Sequence, residues 1–194
     1  RLYLTNTFFI NYNMTHTMEK LKTIFGIPFG ISRDELFEKL EGRYYHYSKD
    51  MDPSPNTIKI YYIELAGRDT KCVFFNFYQN QLCSVEIVYV PEFEDKIIEE
   101  YNSIKKEISN RYYVSENDFF EFEPPHYPTN DFSEIIKALN KGHLKIECWW
   151  NFKSDTDLDD YISIKISSDE KIHLKYENSE LTKKYIENLK LSDY

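Results

Sequence analysis

The amino-acid sequence predicts an α+β fold of antiparallel β-meanders with packed helices, in the order helix, three or four strands, long helix, short helix, three strands, helix. Three observations lead there. Six short runs alternate apolar with polar residues, the mark of half-buried strands. Four other segments repeat apolar residues every three or four positions, and two of these open on capping signatures. All seven prolines fall outside the periodic segments and mark loops near 48 to 56 and 115 to 130.

The first helix opens at Ser32, whose hydroxyl can cap an amide three residues on while Glu35 reaches back; Leu36, Phe37 and Leu40 then share a face, and Gly42 stops the helix. In the first strand Ile58, Ile60 and Tyr62 alternate with Lys59, Tyr61 and Ile63. Val73, Phe75 and Phe77, then Cys83, Val85, Ile87 and Tyr89, make a hairpin. With its turn at Asn80, Phe77 faces Cys83, Phe75 faces Val85 and Val73 faces Ile87, while Asn76/Ser84 and Phe74/Glu86 take the other side.

A long helix runs from about residue 93 to residue 112. Ile97, Ile98, Tyr101, Ile104, Ile108 and Tyr112 form its stripe, acids lie early, and Lys105, Lys106 and Arg111 lie late. After a Pro-rich seam at 114 to 130, Asp131-Phe132-Ser133-Glu134 caps a short helix with Ile135, Ile136 and Leu139 inside and Gly142 as terminator. Three strands follow, pointing Leu144, Ile146, Cys148, Trp150 and Phe152, then Ile162, Ile164 and Ile166, then Ile172, Leu174 and Tyr176 inward, as a meander with one wet face. Leu181, Tyr185 and Leu189 place a closing helix over it. Residues 18 to 194 thus read as one domain, divisible into two helix-plus-meander halves at the 114 to 130 seam. Residues 1 to 17 lack caps and periodicity and read as an extra arm, without the three-part pattern of an intact secretory signal.

Composition narrows the function. Lys and Arg number 24 against 33 Asp and Glu, a net charge of −9 with no concentrated basic face, which argues against nucleic acid as partner. A hydrophobic content of 41%, with 17% aromatics, is too rich in ordering side chains for a disordered chain. No stretch is apolar for long enough to span a membrane, so a soluble, acidic protein is expected.

The segment Phe25-Gly26-Ile27-Pro28-Phe29-Gly30-Ile31-Ser32, with the Glu35/Leu36/Leu40 helix after it, resembles the opening of a group of small uncharacterised bacterial α+β domains. Tyr61-Tyr62-Ile63-Glu64-Leu65-Ala66-Gly67, and Phe75-Asn76-Phe77 with Leu82, resemble later segments of that group, so that the likeness covers about residues 24 to 113. The resemblance implies a helix-plus-meander unit like those of β-lactamase-inhibitor-like and outer-membrane-assembly lipoprotein folds. Many members of the group are exported, and this chain departs from them in showing no signal or lipobox. No catalytic residue comes with the resemblance.

Reactive groups are sparse. Cys72, Cys83 and Cys148 have no metal-ligand spacing, and Cys83 and Cys148 read as buried structural thiols. His16, His46, His126, His143 and His173 include no pair at helical ligand spacing. The acids at 155 to 160 open like a calcium loop but have Asp160 where glycine belongs and Ile166 where a carboxylate belongs, so a solvated hairpin loop is expected. No metal, cofactor or catalytic residue is assigned. Aromatics are the informative excess. Trp149 and Trp150 are strand neighbours and must face opposite ways; Trp150 joins Ile146, Cys148 and Phe152 inside, leaving Trp149 outside. Trp149, with Tyr61 and Lys145 as neighbours, is the candidate binding patch on an aromatic, acidic sheet face, and a protein is the expected partner. The expected function is a non-enzymatic binding or inhibitor-like module. The alternative is a hydrolase or transferase assembled from His143, His173, Cys148 and the 155 to 160 acids.

Overall fold

The structure is a computed structural model that describes residues 20 to 154 and 158 to 192. The expected arm at 1 to 17 and the first half of the 155 to 160 acidic run lie outside the described residues. The chain enters through a tight hairpin, β1 (Thr23–Ile24) and β2 (Ile27–Pro28), then α1 (Arg33–Leu40) and β3 (Tyr44–His46). A meander follows of β4 (Thr57–Leu65), β5 (Arg68–Asp69), β6 (Cys72–Tyr78) and β7 (Gln81–Tyr89). Next come α2 (Ile97–Arg111), β8 (Asn117–Phe122) and α3 (Phe132–Asn140). The chain ends with β9 (Leu144–Phe152), β10 (Asp160–Ile166), β11 (Ile172–Glu177) and α4 (Ser179–Ser192).

The α+β class is shown: helices pack on one continuous antiparallel sheet of order β3-β4-β6-β7-β11-β10-β9-β8, with β5 appended to β4. The last strand of each meander, β7 and β11, pair with one another, so the two halves share a sheet. Ile87 lies opposite Leu174 there, and Val85 opposite Tyr176. Leu36 and Leu40 of α1, Tyr101, Ile104 and Ile108 of α2, and Ala138 and Leu139 of α3 join one core with the inward rows of the strands.

Local chemistry explains the helix starts. At α1 the Ser32 hydroxyl accepts from the Glu35 amide and Glu35 Oε2 accepts from the Ser32 amide, a complete capping box. Asp131 caps α3 by accepting from the Ser133 amide. The stretch before α1 is tied to the sheet: the Gly30 amide donates to Leu82 O, the Leu82 amide to Ile31 O, and the Arg33 amide to Asn80 Oδ1. The opening segment thus clamps the β6–β7 turn.

Five strands escape the sequence reading. β1, β2, β3 and β5 are two or three residues long, too short for an alternation to register. β8 lies within the Pro-rich seam; its adjacent Phe119 and Phe120 break the alternation, and among the described residues it pairs with β9 alone. Two registers also differ from expectation. Gln79 and Asn80 close β6–β7 as a two-residue turn at φ +47° and +63°, a left-handed turn suited to the twist of a hairpin. That turn sets Phe77 opposite Leu82, not Cys83, while Phe75/Val85 and Val73/Ile87 hold as expected. A bulge at Cys83 absorbs the one-residue difference. In β4, Tyr62 sits at φ +54° and is exposed, and this irregularity turns Ile63 inward where alternation would have placed Tyr62.

Candidate functional site

Strand pairing lines up the second face of the sheet, the one opposite α1, α2 and α3. One row across it runs Lys59, Phe74, Glu86, Lys175, Ser163, Trp149. The next runs Tyr61, Cys72, Val88, His173, Lys165, Glu147, Phe119. A third carries Asn76, Ser84, Glu177 and Tyr161. Helix α4 lies on this face at the third row's end: it packs on β6, β7 and β10, the Asn178 amide donates to Cys83 O, and Cys83 and Ser84 are buried there. Asp160 holds its start, accepting from the Ser179 amide at 2.9 Å. Asp160 is therefore a buried strand residue and no part of a solvated loop, and burial pushes its carboxyl up against the pull of that amide.

The first two rows carry an aromatic cluster at each side. On β4 and β6 the Lys59 ammonium lies 4.6 Å from the Tyr61 ring centre and 5.0 Å from that of Phe74. On β8, β9 and β10 the Trp149 and Tyr161 rings meet at 5.0 Å, and the Lys145 ammonium lies 4.5 Å from the Phe119 ring centre. Trp149 is half-buried, whereas Trp150 is fully buried in the core. Glu147 organises the second cluster: its Oε1 accepts from Trp149 Nε1 at 2.9 Å and from Lys145 Nζ at 2.7 Å.

Lys145 is accordingly linked to Trp149 through a shared carboxylate. Tyr61 is not its neighbour, because β6, β7, β11 and β10 intervene; at about 4.8 Å per strand the separation is about 24 Å. Tyr161 and Phe119, the rings that do flank this cluster, were not legible, since pairing order is not written in either strand. Glu147 was: Lys145, Glu147 and Trp149 follow at two-residue spacing on one face.

Between the clusters the face is polar and mostly paired within itself, although His173 Nε2 is buried without a hydrogen-bond partner among the described residues. His173 Nδ1 meets Glu86 Oε1 at 2.7 Å, Lys175 donates to the Tyr161 hydroxyl at 3.0 Å and pairs with Glu177, and Tyr161 donates to Glu177 at 2.7 Å. Lys165 stands opposite Glu147 and Lys145 opposite Glu121. The face is therefore aromatic and charge-paired, where the sequence led us to expect an acidic one.

The His173 hydrogen bond holds the Glu86 carboxyl below its usual range, against the opposing effect of burial. A carboxyl whose folded pKa is depressed adds stability above its unfolded pKa and loses it as pH falls through the folded one. Glu86→Gln should therefore be less stable than the natural protein above about pH 5, by less than about 1 kcal/mol for so accessible a pair, with the difference vanishing in more acid solution. Urea midpoints across that range check it; a difference that grows on acidification contradicts it.

Among the described residues, His143, His173 and Cys148 are not brought together. Cys148 is buried on the core face, paired with Ile164, whereas His173 lies on the other face. His143 stacks on His126 at 5.4 Å beside the start of β9. Cys72, on the same face as His173, is separated from it by the β7 residue Val88, and burial pushes its thiol up, away from the reactive thiolate. All three cysteines are buried, with Cys83 and Cys148 as expected. No helix among the described residues is long and apolar enough to cross a membrane. Comparison with family models, curated proteins and solved structures finds no match for this chain.

Proposed function

We propose that this protein is a non-enzymatic protein-binding or inhibitor-like module that presents the second face of its sheet to a partner protein. The observation that carries this reading is the placement of Trp149: its indole is held by Glu147 and Tyr161 on the face opposite the three-helix layer, half-buried. Trp and Tyr dominate interface hot spots because they offer large rigid surfaces with a polar handle. Here the handle is already committed to Glu147, so the ring is pre-oriented and little rotamer freedom is lost on docking. The interleaved lysines and glutamates supply the polar surroundings that fix orientation more than strength.

The test is affinity capture from the native host's lysate with the natural chain and with Trp149→Ala side by side. A specific captured protein should bind Trp149→Ala about 2 kcal/mol more weakly, about thirtyfold, while thermal unfolding is nearly unchanged. Equal capture by both chains removes Trp149 from the interface and, with it, the main support for the reading.

A further inference from the structure

β8 stands at the end of the sheet order, and among the described residues only β9 pairs with it. The Glu123 amide donates to His143 O at 2.7 Å, which continues the register that sets Asn117 opposite Trp149 and Phe122 opposite Leu144. In an antiparallel pair, residues bonded to the neighbouring strand alternate with residues whose N–H and C=O point away from it. Phe119 and Glu121 therefore direct their backbone groups to β9. Asp118, Phe120 and Phe122 turn theirs outward, where no other described residue bonds them. The side chains of these three share the α2 side of the sheet with Cys148, Ile146 and Leu144. Phe120 is 47% exposed and meets the Phe122 ring edge-on at 5.8 Å, so the open edge is apolar as well as unpaired. Such an edge is a template for another strand.

Beside it lies a recess of about 160 Å³ between α2 and the end of the sheet. Ile98 and Tyr101 of α2 line it together with Phe120 and Ile146, and its polar members are Asn102, Lys105 and Asp118. Lys105 donates to Asp118 at 2.8 Å, so those two charges cancel. An apolar cavity of about 150 Å³ admits a benzene molecule, and this recess accordingly has room for one branched or single-ring side chain. On an added strand, the residue opposite Phe120 shares its face and points toward α2.

Charge selects which strand can be added. No Lys or Arg occurs from residue 112 to residue 136, while Glu116, Asp118, Glu121 and Glu123 all fall on or beside β8. Asp118 is paired with Lys105, and Lys145, opposite Glu121, pairs with Glu147. Glu116, Glu121 and Glu123 have no ion pair among the described residues. A second β8 would set the same acids against themselves, which opposes self-pairing. A strand with cations flanking its recess-filling residue meets Glu121 and Glu123 instead.

We propose that the β8 edge binds an extended basic segment of a partner protein. The segment pairs antiparallel with Asp118 to Phe122, seats one apolar side chain in the recess beside α2, and carries lysine or arginine on either side of it. Main-chain bonds supply affinity in this mode and the recess supplies selectivity. The edge is a second surface, distinct from the Trp149 face, and the two are tested separately.

The probe is the capped heptapeptide Lys-Val-Lys-Leu-Lys-Val-Lys, titrated into the full isotope-labelled chain and followed by amide shifts and calorimetry. Saturable shifts should centre on Asp118, Phe120 and Phe122. Methylating the leucine nitrogen removes the donor aimed at Phe120 O and should weaken binding about tenfold. Truncating the leucine to alanine should weaken it at least about as much, and exchanging every lysine for glutamate should abolish it. Phe120→Pro, tolerated where the strand N–H faces solvent, should also lose the peptide; if it fails to fold, the peptide variants still decide. The proposal is overturned if the parent peptide gives no saturable shift by roughly 1 mM, or if the N-methylated or alanine peptide binds as tightly as the parent. It is overturned equally if the free chain sediments as a dimer that Phe120→Pro dissolves, since the occupant is then a second copy.

Discussion

Replacing Trp150 by alanine is expected to destabilise the protein by about 3 to 5 kcal/mol, the range for removing a large buried aromatic. Trp150 is fully buried on β9, opposite Ile162. Its indole Nε1 donates to Tyr113 O at 2.9 Å, and the Tyr113 hydroxyl in turn donates to Asn151 O at 2.8 Å. Truncation therefore leaves a cavity and an unpaired carbonyl, and loosens the segment that joins α2 to β8. The urea midpoint of Trp150→Ala should fall steeply at constant slope, while that of Trp149→Ala moves little. The reverse outcome would invert the assignment of the two faces.

A second large effect is expected at Val85. The residue is 1% exposed, faces Phe75 on β6 and Tyr176 on β11, and lies where the two meanders join. Val85→Asp places a carboxylate among apolar side chains with no partner, a cost of more than about 4 kcal/mol. Against the roughly 5 to 15 kcal/mol by which most domains are stable, that is enough to abolish cooperative folding. Glu86→Ala, one residue on, faces the other way and should leave a cooperative transition. A folded Val85→Asp with a near-natural midpoint would mean that the β7 register is wrong.

The helices were legible because their signals are local. A capping box needs four residues and a buried stripe needs one face of one helix, and both are written contiguously at Ser32 to Glu35 and from Ile97 to Ile108. The long strands were legible for the same reason: alternation along β9 places Trp150 inside without reference to any other strand. Of the candidate site, the outward position of Trp149 and its link to Lys145 were readable from two-residue spacing. The approach of Tyr61 was not, because two strands that alternate in the same way carry no mark of how many others lie between them.

The sequence by itself thus determined which segments are helical, which of the longer segments are extended and, outside the irregular end of β4, which side of those turns inward, since these depend on steric and hydrophobic preferences over a few neighbouring residues. Only the tertiary structure decided that β7 and β11 lie side by side, that Tyr161 and Phe119 gather about Trp149 while Tyr61 stands across the sheet, and that a recess remains between α2 and β8. The physical reason is that strand order is selected by the summed burial of whole faces, a property of the assembled sheet that no single strand encodes.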